Sequence, residues 1–221
     1  ILDKPLGLGS TQGVSAVKCA LRAGGYAKCK VGHGGTLDPL ATGVLPIALG
    51  EATKLAGRML DASKVYAFTI GFGTETETLD AEGEVSATSD VRPTLAQIDA
   101  VLPRFTGPIE QIPPKYSALK IDGKRAYDLA RAGVEVEMKT RRVTIESLTV
   151  SPEPVEGRLS DENRASISSA LTEDGSSDDR RELESITLIA HVSKGTYIRS
   201  LARDIARALD TVGHVTMLRR L

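Results

Sequence analysis

The chain has 221 residues, of which 41% are hydrophobic and 26% charged, and its formal net charge is −1. This length allows one large domain or two small ones with a substantial core. No stretch approaches the roughly 20 apolar residues of a membrane span, and the first residues lack the apolar core of a signal peptide. The sequence therefore predicts a cytoplasmic protein without membrane contacts. Its two cysteines, Cys19 and Cys29, cannot form a disulfide framework and are interpreted as reduced and structural.

The charges are unevenly distributed along the chain. Residues 151–185 contain ten Asp and Glu against four Arg, a net charge of −6, which leaves +5 for the remaining residues. Residues 113–142 carry eight Lys and Arg against four acidic residues, residues 194–221 carry six against two, and residues 1–30 carry five against one. A polyanionic partner is plausible, although charge alone favours solvated helix faces.

In the first half of the chain, apolar spacing predicts short helices and strands. The apolar stripe of residues 14–23 indicates a helix. Residues 44–49 indicate a short strand, in which Pro46 favours a sheet edge or a strand end. Residues 52–60 fit a second helix, and the alternating apolar side chains of 64–73 indicate a longer strand.

In the second half, the predicted elements surround an acidic segment. Helices are predicted over 95–105 and 196–209, strands over 141–150 and 186–192, and a loop with its own short helix over 113–133. Residues 152–185 lack a sustained apolar period and are interpreted as a disordered insertion. Because helices are too few for a doubly wound parallel fold, the sequence predicts an α+β domain on a mixed sheet.

The segment VGHGGTLDPLATG, residues 31–43, is the most distinctive candidate site. Its glycines permit positive φ and close approach of backbone N–H groups to an anion or a base, but it matches neither common nucleotide-binding loop. Asp38 precedes Pro39, and this pattern alone favours a turn former tied to nearby backbone. His33 alone favours a packed or surface histidine, and three scattered histidines do not supply a metal site.

Seven separated motifs are more informative together than any one of them. In chain order they are LDKPLG at 2–7, VGHGGTLDPLATGVLP at 31–46, GEATK at 50–54, KVY at 64–66, IPPKYSALK at 112–120, KGTYIRSLARDI at 194–205 and HVTMLRRL at 214–221. These motifs resemble, in the same order, those of the bacterial TruB-type tRNA pseudouridine 55 synthases. The resemblance covers nearly the whole chain except the acidic insertion, and motifs of this length are highly specific.

The resemblance implies both a fold and a reaction. The fold would be that of the pseudouridine synthases, with a mixed, mostly antiparallel sheet flanked by helices and a central RNA-binding cleft. In the reaction, the C1′–N1 bond of a flipped-out uridine in the T loop of tRNA is cut and C5 is joined to C1′. No metal or other cofactor is expected, because a C–N bond is exchanged for a C–C bond without net electron transfer.

The resemblance also implies how the chain is organised. Residues 1–221 would form one catalytic domain, with an RNA-gripping thumb loop at about 111–135 and the acidic insertion at about 152–185. A C-terminal RNA-binding region found in the family would not be present in this chain. The implied partner is the T arm of tRNA, bound by a monomer without a guide RNA or a membrane.

Three residues carry over as the catalytic group. Asp38 matches the aspartate of the family's GTLDP motif and would be the nucleophile, attacking either C1′ or C6. Tyr66 would stack on the target base and accept the proton lost from C5. Arg199 would keep Asp38 ionised by gripping both carboxylate oxygens, because burial alone raises the pKa of a carboxylate. Without the resemblance, the strand tyrosine would be assigned to the core and the helix arginine to solvent.

The remaining matches predict contacts with RNA. They are Tyr197 and Leu218 at the uracil site, His33 in the space left by the extruded nucleotide, and Lys4, Lys54 and the cations of 115–142 at phosphates. Two other functions stay open, namely an RNA-guided, dyskerin-type pseudouridine synthase and a tRNA-folding chaperone without catalysis. The bacterial-style thumb disfavours the first, and the joint presence of the three catalytic residues disfavours the second.

Overall fold

A computed structural model describes residues 1–117, 119–121, 123–134, 138–151 and 181–221. Its α-helices are α1 (Ser10–Ala23), α2 (Ala56–Asp61), α3 (Leu95–Val101), α4 (Ala126–Arg131) and α5 (Ile198–Ala208), and 3₁₀ helices cover Gly50–Leu55 and Leu102–Phe105. Its strands are β1 (Leu2–Lys4), β2 (Val31–His33), β3 (Ala41–Leu45), β4 (Ile47–Leu49), β5 (Lys64–Phe72), β6 (Thr74–Thr76), β7 (Val85–Thr88), β8 (Gly107–Gln111), β9 (Lys120–Ile121), β10 (Lys124–Arg125), β11 (Arg141–Val150), β12 (Ser185–Val192) and β13 (Gly213–Arg220).

Seven strands form the main sheet in the order β1-β3-β13-β5-β12-β11-β8. Five of the neighbouring pairs are antiparallel, and the pair of β13 with β3 is parallel. Smaller two-stranded sheets pair β2 with β4, β6 with β7 and β9 with β10. The predicted α+β class with a mixed, mostly antiparallel sheet is therefore confirmed.

The centre of the sheet is buried on both sides. The predicted strand at 64–73 is confirmed as β5, and its alternating aromatic and aliphatic side chains are joined in the interior by Ala67 and Thr69 of the opposite face. The predicted helix at 196–209 is confirmed as α5, whose Leu201 and Ile205 are fully buried in the same core. Burial of each such side chain contributes roughly 1.5–3 kcal/mol. This packing fixes α5 relative to β5.

Pro46 divides the segment predicted as one strand. Residues 44–49 belong to two strands, since β3 ends at Leu45 and β4 begins at Ile47. Proline has no N–H to donate to a sheet, and its carbonyl instead accepts a hydrogen bond of 2.9 Å from the Gly34 N–H. The single strand was therefore wrong, whereas the strand end at Pro46 is confirmed. The chain thus leaves the main sheet here and pairs with β2.

Two predicted helices are partly 3₁₀ in character, and several strands, including the central strand β13, were not predicted. The segment 52–60 starts as a 3₁₀ helix before α2, and 95–105 ends as one after α3, where Pro103 occupies the first turn. Strand β13 is a central strand of the sheet, but its sequence HVTMLRR has no clear apolar alternation. Its pairing with distant strands decides its conformation.

The predicted acidic insertion falls mainly on residues 152–180, which lie outside the described residues. Its last residues, 181–185, belong to the fold. Leu183 is buried in the core and its N–H donates to the Pro93 carbonyl at 2.9 Å, and β12 begins at Ser185. Within the described ranges, the structure contains no helix that is long and apolar enough to cross a membrane.

Candidate active site

The backbone on both sides of Asp38 is fixed by the first turn of the chain and by the start of α1. The Leu37 N–H donates to the Ser10 hydroxyl at 2.8 Å, and this hydroxyl donates back to the Leu37 carbonyl at 3.0 Å. On the other side, the Gly7 N–H donates to the Pro39 carbonyl at 2.9 Å. The Asp38 side chain, 46% exposed, therefore projects from a rigid turn rather than a mobile loop.

Arg199 lies at the start of α5, and a buried glutamine holds this end of the helix. The Gln111 side-chain amide donates to the Tyr197 carbonyl at 3.1 Å, and the Tyr197 N–H donates to the Gln111 side-chain oxygen at 2.8 Å. The Arg141 guanidinium lies 5.6 Å from the centre of the Tyr197 ring, within the range of a cation–π contact. The sequence did not reveal Gln111, because a glutamine at the end of a strand has no distinctive pattern.

The Arg199 guanidinium joins two carboxylates. Its Nη2 lies 2.9 Å from Asp38 Oδ2, and its Nη1 lies 3.0 Å from Asp80 Oδ2. Nη1 also donates to the Thr78 carbonyl at 2.8 Å, and Nη2 donates to the Tyr116 carbonyl at 3.0 Å. The predicted grip on both oxygens of Asp38 is therefore wrong. With only 9% of its side chain exposed, this shared cation is weakly screened and has one orientation.

Asp80 is the second partner of this cation and was not predicted. It lies between β6 and β7 and is only 10% exposed. Its Oδ1 accepts hydrogen bonds from the Thr78 hydroxyl and, at 3.0 Å, from the Glu82 N–H. In the sequence, TLDAEG is typical of a turn, and only the fold places this turn beside Arg199.

Tyr66 and Arg220 face each other across two central strands. They are register partners in β5 and β13, and both are buried. Burial raises the pKa of the Tyr66 hydroxyl, the charge and a hydrogen bond of Arg220 lower it, and the Asp38 charge raises it further. Arg220 was not predicted as a site residue. Its neighbour Arg219 has the same side chain but points to Asp3, and the sequence does not distinguish the two.

One cavity of about 360 Å³ brings the predicted chemistry together. It is lined by the three predicted catalytic residues, Asp38, Tyr66 and Arg199, and by the two predicted uracil-site residues, Tyr197 and Leu218. Lys64, Arg220 and, from the predicted thumb, Ser117 and Leu119 line it as well. Its size lies in the range of about 300–1,000 Å³ typical of small-molecule sites. We call it the Asp38 cavity.

The other predicted RNA contacts do not line the Asp38 cavity. Lys4 is fully buried, and its ammonium donates to the carbonyls of Pro5, Leu8 and Pro39 at 3.0, 2.6 and 3.2 Å. It therefore offers no exposed charge to a phosphate and instead secures the turn that carries Asp38. Lys54 is exposed and paired with Glu51.

His33 ends β2 in a half-buried position, and its Nδ1 has no hydrogen-bond partner among the described residues. Those residues also contain no group of His, Cys, Asp and Glu side chains that could hold a metal ion.

Comparison with solved structures identifies the class of this fold. A chain in the crystal structure of a Cbf5-Nop10-Gar1 complex matches with a TM-score of 0.64 and 28% identity, covering 99% of this chain and 46% of that one. A chain in the archaeal box H/ACA sRNP Nop10-Cbf5 complex matches with a TM-score of 0.59 and 23% identity, covering 99% and 45%. The predicted pseudouridine synthase fold is confirmed.

Sequence comparison identifies the family within this class. The model of the TruB family pseudouridylate synthase N-terminal domain matches residues 23–198, and the chain belongs to this family. A tRNA pseudouridine synthase B of Novosphingobium aromaticivorans is 64% identical over 221 residues, covering 100% of this chain and 65% of that protein. That of Zymomonas mobilis is 57% identical, covering 100% and 64%. The predicted family is confirmed, and the chain spans slightly less than two thirds of these relatives.

Proposed function

We propose that this chain is the catalytic part of a tRNA pseudouridine 55 synthase, which isomerises a flipped-out uridine in the T loop of tRNA to pseudouridine. The observation that carries the proposal is the convergence of Asp38, Tyr66 and Arg199 in one cavity with Tyr197 and Leu218. Membership of the TruB family and the relatives named tRNA pseudouridine synthase B support the same substrate class.

Asp38 is the proposed nucleophile. A carboxylate attacks only in its ionised form, and the Arg199 guanidinium at 2.9 Å favours that form. Asp80 lies on the other side of the same guanidinium and keeps it compensated and oriented when substrate excludes water from the cavity. Attack on the ribose C1′ and attack on the base C6 both begin from this geometry.

The remaining residues of the Asp38 cavity hold the base. Tyr66 provides a buried aromatic face for stacking and a hydroxyl that accepts the proton lost from C5. Tyr197 and Leu218 form apolar walls, and the Tyr197 backbone is fixed by Gln111. A flipped pyrimidine needs such a combination of a stacking surface and a fixed polar group.

The proposed partner is the T arm of tRNA, bound by a cytoplasmic monomer without a guide RNA. The predicted thumb at 111–135 supports this arrangement, since Ser117 and Leu119 line the Asp38 cavity and the Tyr116 carbonyl accepts from Arg199. A base that enters the cavity therefore lies beside the thumb. Lys54 and the cations of 115–142 are proposed phosphate contacts, whereas buried Lys4 is not.

The direct test uses the full protein, an unmodified tRNA transcript and no guide RNA, with pseudouridine located by carbodiimide-dependent primer extension. One modified position in the T loop supports the proposal. The likeness to Cbf5 chains favours an RNA-guided enzyme as the second candidate, and product that forms only with a guide RNA and partner proteins would support it. Refolding of tRNA without any product would instead indicate a chaperone.

A further inference from the structure

Arg220 is a buried cation of the Asp38 cavity that does not use all of its donors. Its side chain enters from β13, and its Nε donates to the Val44 carbonyl at 2.6 Å. Only 4% of the residue is exposed. Its Nη2 is buried and has no hydrogen-bond partner among the described residues. A buried, unpaired N–H is costly, which points to a partner that forms during the reaction.

Two glycines of the Asp38 segment allow the backbone to approach Arg220 closely. A Cβ atom added at Gly35 would lie 3.1 Å from Arg220 Nη1, and Gly35 has a φ of +139°. A Cβ atom added at Gly43 would lie 2.1 Å from the Arg220 carbonyl oxygen. The glycines of the Asp38 segment therefore let the loop close over Arg220. Gly35 thus allows close packing against the charged side chain, and Gly43 allows close packing against the Arg220 backbone.

We propose that Arg220 is a positioning residue for Tyr66, holding its hydroxyl in place and stabilising the phenolate form that accepts a proton from the substrate. The two residues are register partners across β5 and β13 and line the same cavity. The other charged groups of that cavity are Asp38, Arg199 and Lys64. Arg199 is committed to Asp38 and Asp80, and the Lys64 ammonium donates to the Leu60 and Ala62 carbonyls. Arg220, which keeps an unpaired donor, is therefore the cation we assign to Tyr66.

This inference rests on the proposed function, in which C5 of the rearranged base loses its hydrogen. The C5–H bond breaks, its electron pair restores the C5–C6 double bond, and the proton passes to the Tyr66 oxygen. Nitrogen N1, released when the glycosidic bond is cut, takes up a proton from water, and Tyr66 returns its proton to the hydroxide left behind, so that the overall reaction is an isomerisation. An oxygen with phenolate character is the stronger base for this step.

The effect of pH has a definite sign. Burial raises the pKa of Tyr66 above its ordinary value, so the phenolate is the minor form at neutral pH. Below that pKa the phenolate fraction grows tenfold per pH unit. Because Arg220 lowers the pKa of Tyr66, its loss displaces the rising limb of the rate profile to higher pH. Each unit of displacement lowers the phenolate fraction at neutral pH about tenfold.

The test combines two variants with a probe at the hydroxyl. In the full protein, Tyr66 is replaced by 3-fluorotyrosine, and its ¹⁹F resonance is titrated in the native, Arg220→Gln and Arg220→Lys forms. We expect the highest hydroxyl pKa in the Gln form and an intermediate value in the Lys form. With natural Tyr66, Arg220→Gln should slow single-turnover pseudouridine formation roughly 10- to 100-fold at neutral pH, and deuterium at C5 should slow it further.

The matched control is Arg219→Gln, which removes the neighbouring arginine from its exposed pair with Asp3. It should leave the titration and the isotope effect unchanged. If the Arg220→Gln variant does not fold, the titration curves and isotope effects of the native protein and the Arg220→Lys variant are compared instead. Equal titration curves and isotope effects in folded forms would overturn the inference. A native protein that makes no pseudouridine would instead overturn the proposed function, while the titration would still report on Arg220.

A separate observation concerns a groove beside α1, with a volume of about 910 Å³, which we call the α1 groove. It is lined by Lys18, Leu21, Arg22, Tyr26, Ala27, Lys28, Cys29, Lys30 and Val31. The lining includes four cations and no carboxylate. Within the described residues, none of the four forms an ion pair with an acidic side chain. Tyr26 is 70% exposed at the same place.

We infer that the α1 groove binds the phosphate backbone of the tRNA substrate. Unpaired, exposed cations next to an exposed aromatic ring are suited to a sugar–phosphate chain, whose phosphates pair with the cations and whose bases stack. Strand β2 begins at Val31 in the groove and leads directly to His33. The last lining residue of the groove is therefore followed along the chain by the segment that carries Asp38. This inference also rests on the proposed function.

The test is a variant with Lys18, Arg22, Lys28 and Lys30 all changed to Gln. We expect its Kd for unmodified tRNA to rise at least roughly tenfold at low salt, with a smaller slope of log K against log salt. The control changes four cations that have acidic partners, namely Arg92, Lys194, Arg207 and Arg219. Its slope should change less. If the groove variant binds tRNA with the native affinity and the native salt slope, and the native protein modifies tRNA, this inference alone is overturned.

Discussion

The Asp38 cavity and the α1 groove both contain clustered cations, but their charges are arranged in opposite ways. In the cavity, Arg199 is almost fully buried and lies between Asp38 and Asp80. In the groove, four cations are exposed and lack acidic partners within the described residues. A buried pair is weakly screened and geometrically fixed, whereas exposed charges are mobile and sensitive to salt.

This contrast separates two tasks. The cavity is suited to orienting one carboxylate toward one atom, and a small error in geometry there strongly lowers the reaction rate. The groove is suited to attracting a polyanion without reading its sequence. Changes in the cavity should therefore affect turnover at nearly constant affinity. Changes in the groove should affect affinity at nearly constant turnover of bound RNA.

The largest expected effect is that of Asp38→Asn. The carboxamide has nearly the same shape, but it is not a nucleophile, so single-turnover pseudouridine formation should fall roughly 10⁴-fold or more. The Kd for tRNA should stay within about threefold of the native value, because exposed cations elsewhere supply the electrostatic attraction. Substantial turnover in the folded variant would exclude Asp38 as the nucleophile.

Arg199→Lys should have the next largest effect. One ammonium cannot occupy the positions of Nη1 and Nη2, which reach Asp80 and Asp38 in different directions. We expect turnover to fall roughly 10²- to 10³-fold, measured under single-turnover conditions at saturating protein. Arg203→Lys, on the next turn of α5, is the matched control, since Arg203 pairs with Asp204 away from the cavity. Similar losses in the two variants would indicate damage to the helix rather than to the ion pair.

Asp80→Asn should have a smaller effect, because the side-chain oxygen still accepts a hydrogen bond from Nη1 while the negative charge is lost. Turnover should fall about tenfold, as Arg199 becomes undercompensated and pulls more strongly on Asp38. Asp61→Asn provides the control, since that carboxylate pairs with Lys194 and is 68% exposed. Replacing both Asp80 and Asp38 by Asn leaves Arg199 without either carboxylate, so the free energy of unfolding should fall by more than the sum of the two single changes. A loss equal to that sum would refute the shared-cation arrangement.

Sequence patterns indicated local structure well where one periodicity dominates. The alternation of β5 and the helical stripe of α5 are examples, because each buries a face regardless of its partners. Pro46 and β13 show where periodicity alone does not predict the local structure. Residues around Pro46 are apolar enough for one strand, and only the missing N–H divides them, while β13 is decided by β3 and β5.

For the candidate site, the motifs identified residue types better than their contacts. Asp38, Tyr66 and Arg199 converge, but Asp80 beside Arg199 and Arg220 beside Tyr66 come from segments that are distant in sequence. So does Gln111, which holds the start of α5 through Tyr197. A turn aspartate, a strand arginine and a strand-end glutamine look ordinary until the fold places them. Burial decides their role, and burial depends on long-range packing that no short window contains.

Lys4→Met is expected to have the smallest effect on RNA binding, because it removes a buried rather than an exposed cation. The Lys4 ammonium satisfies three carbonyls, including that of Pro39 beside Asp38, and it has no exposed surface. Its removal should lower the free energy of unfolding by about 1–3 kcal/mol, seen as a lower urea midpoint. The Kd for tRNA and its salt slope should stay unchanged at a temperature where the variant is folded. A normal midpoint with weaker, less salt-dependent binding would instead return Lys4 to the phosphate contacts, and would mean that the segment around β1 opens when RNA binds.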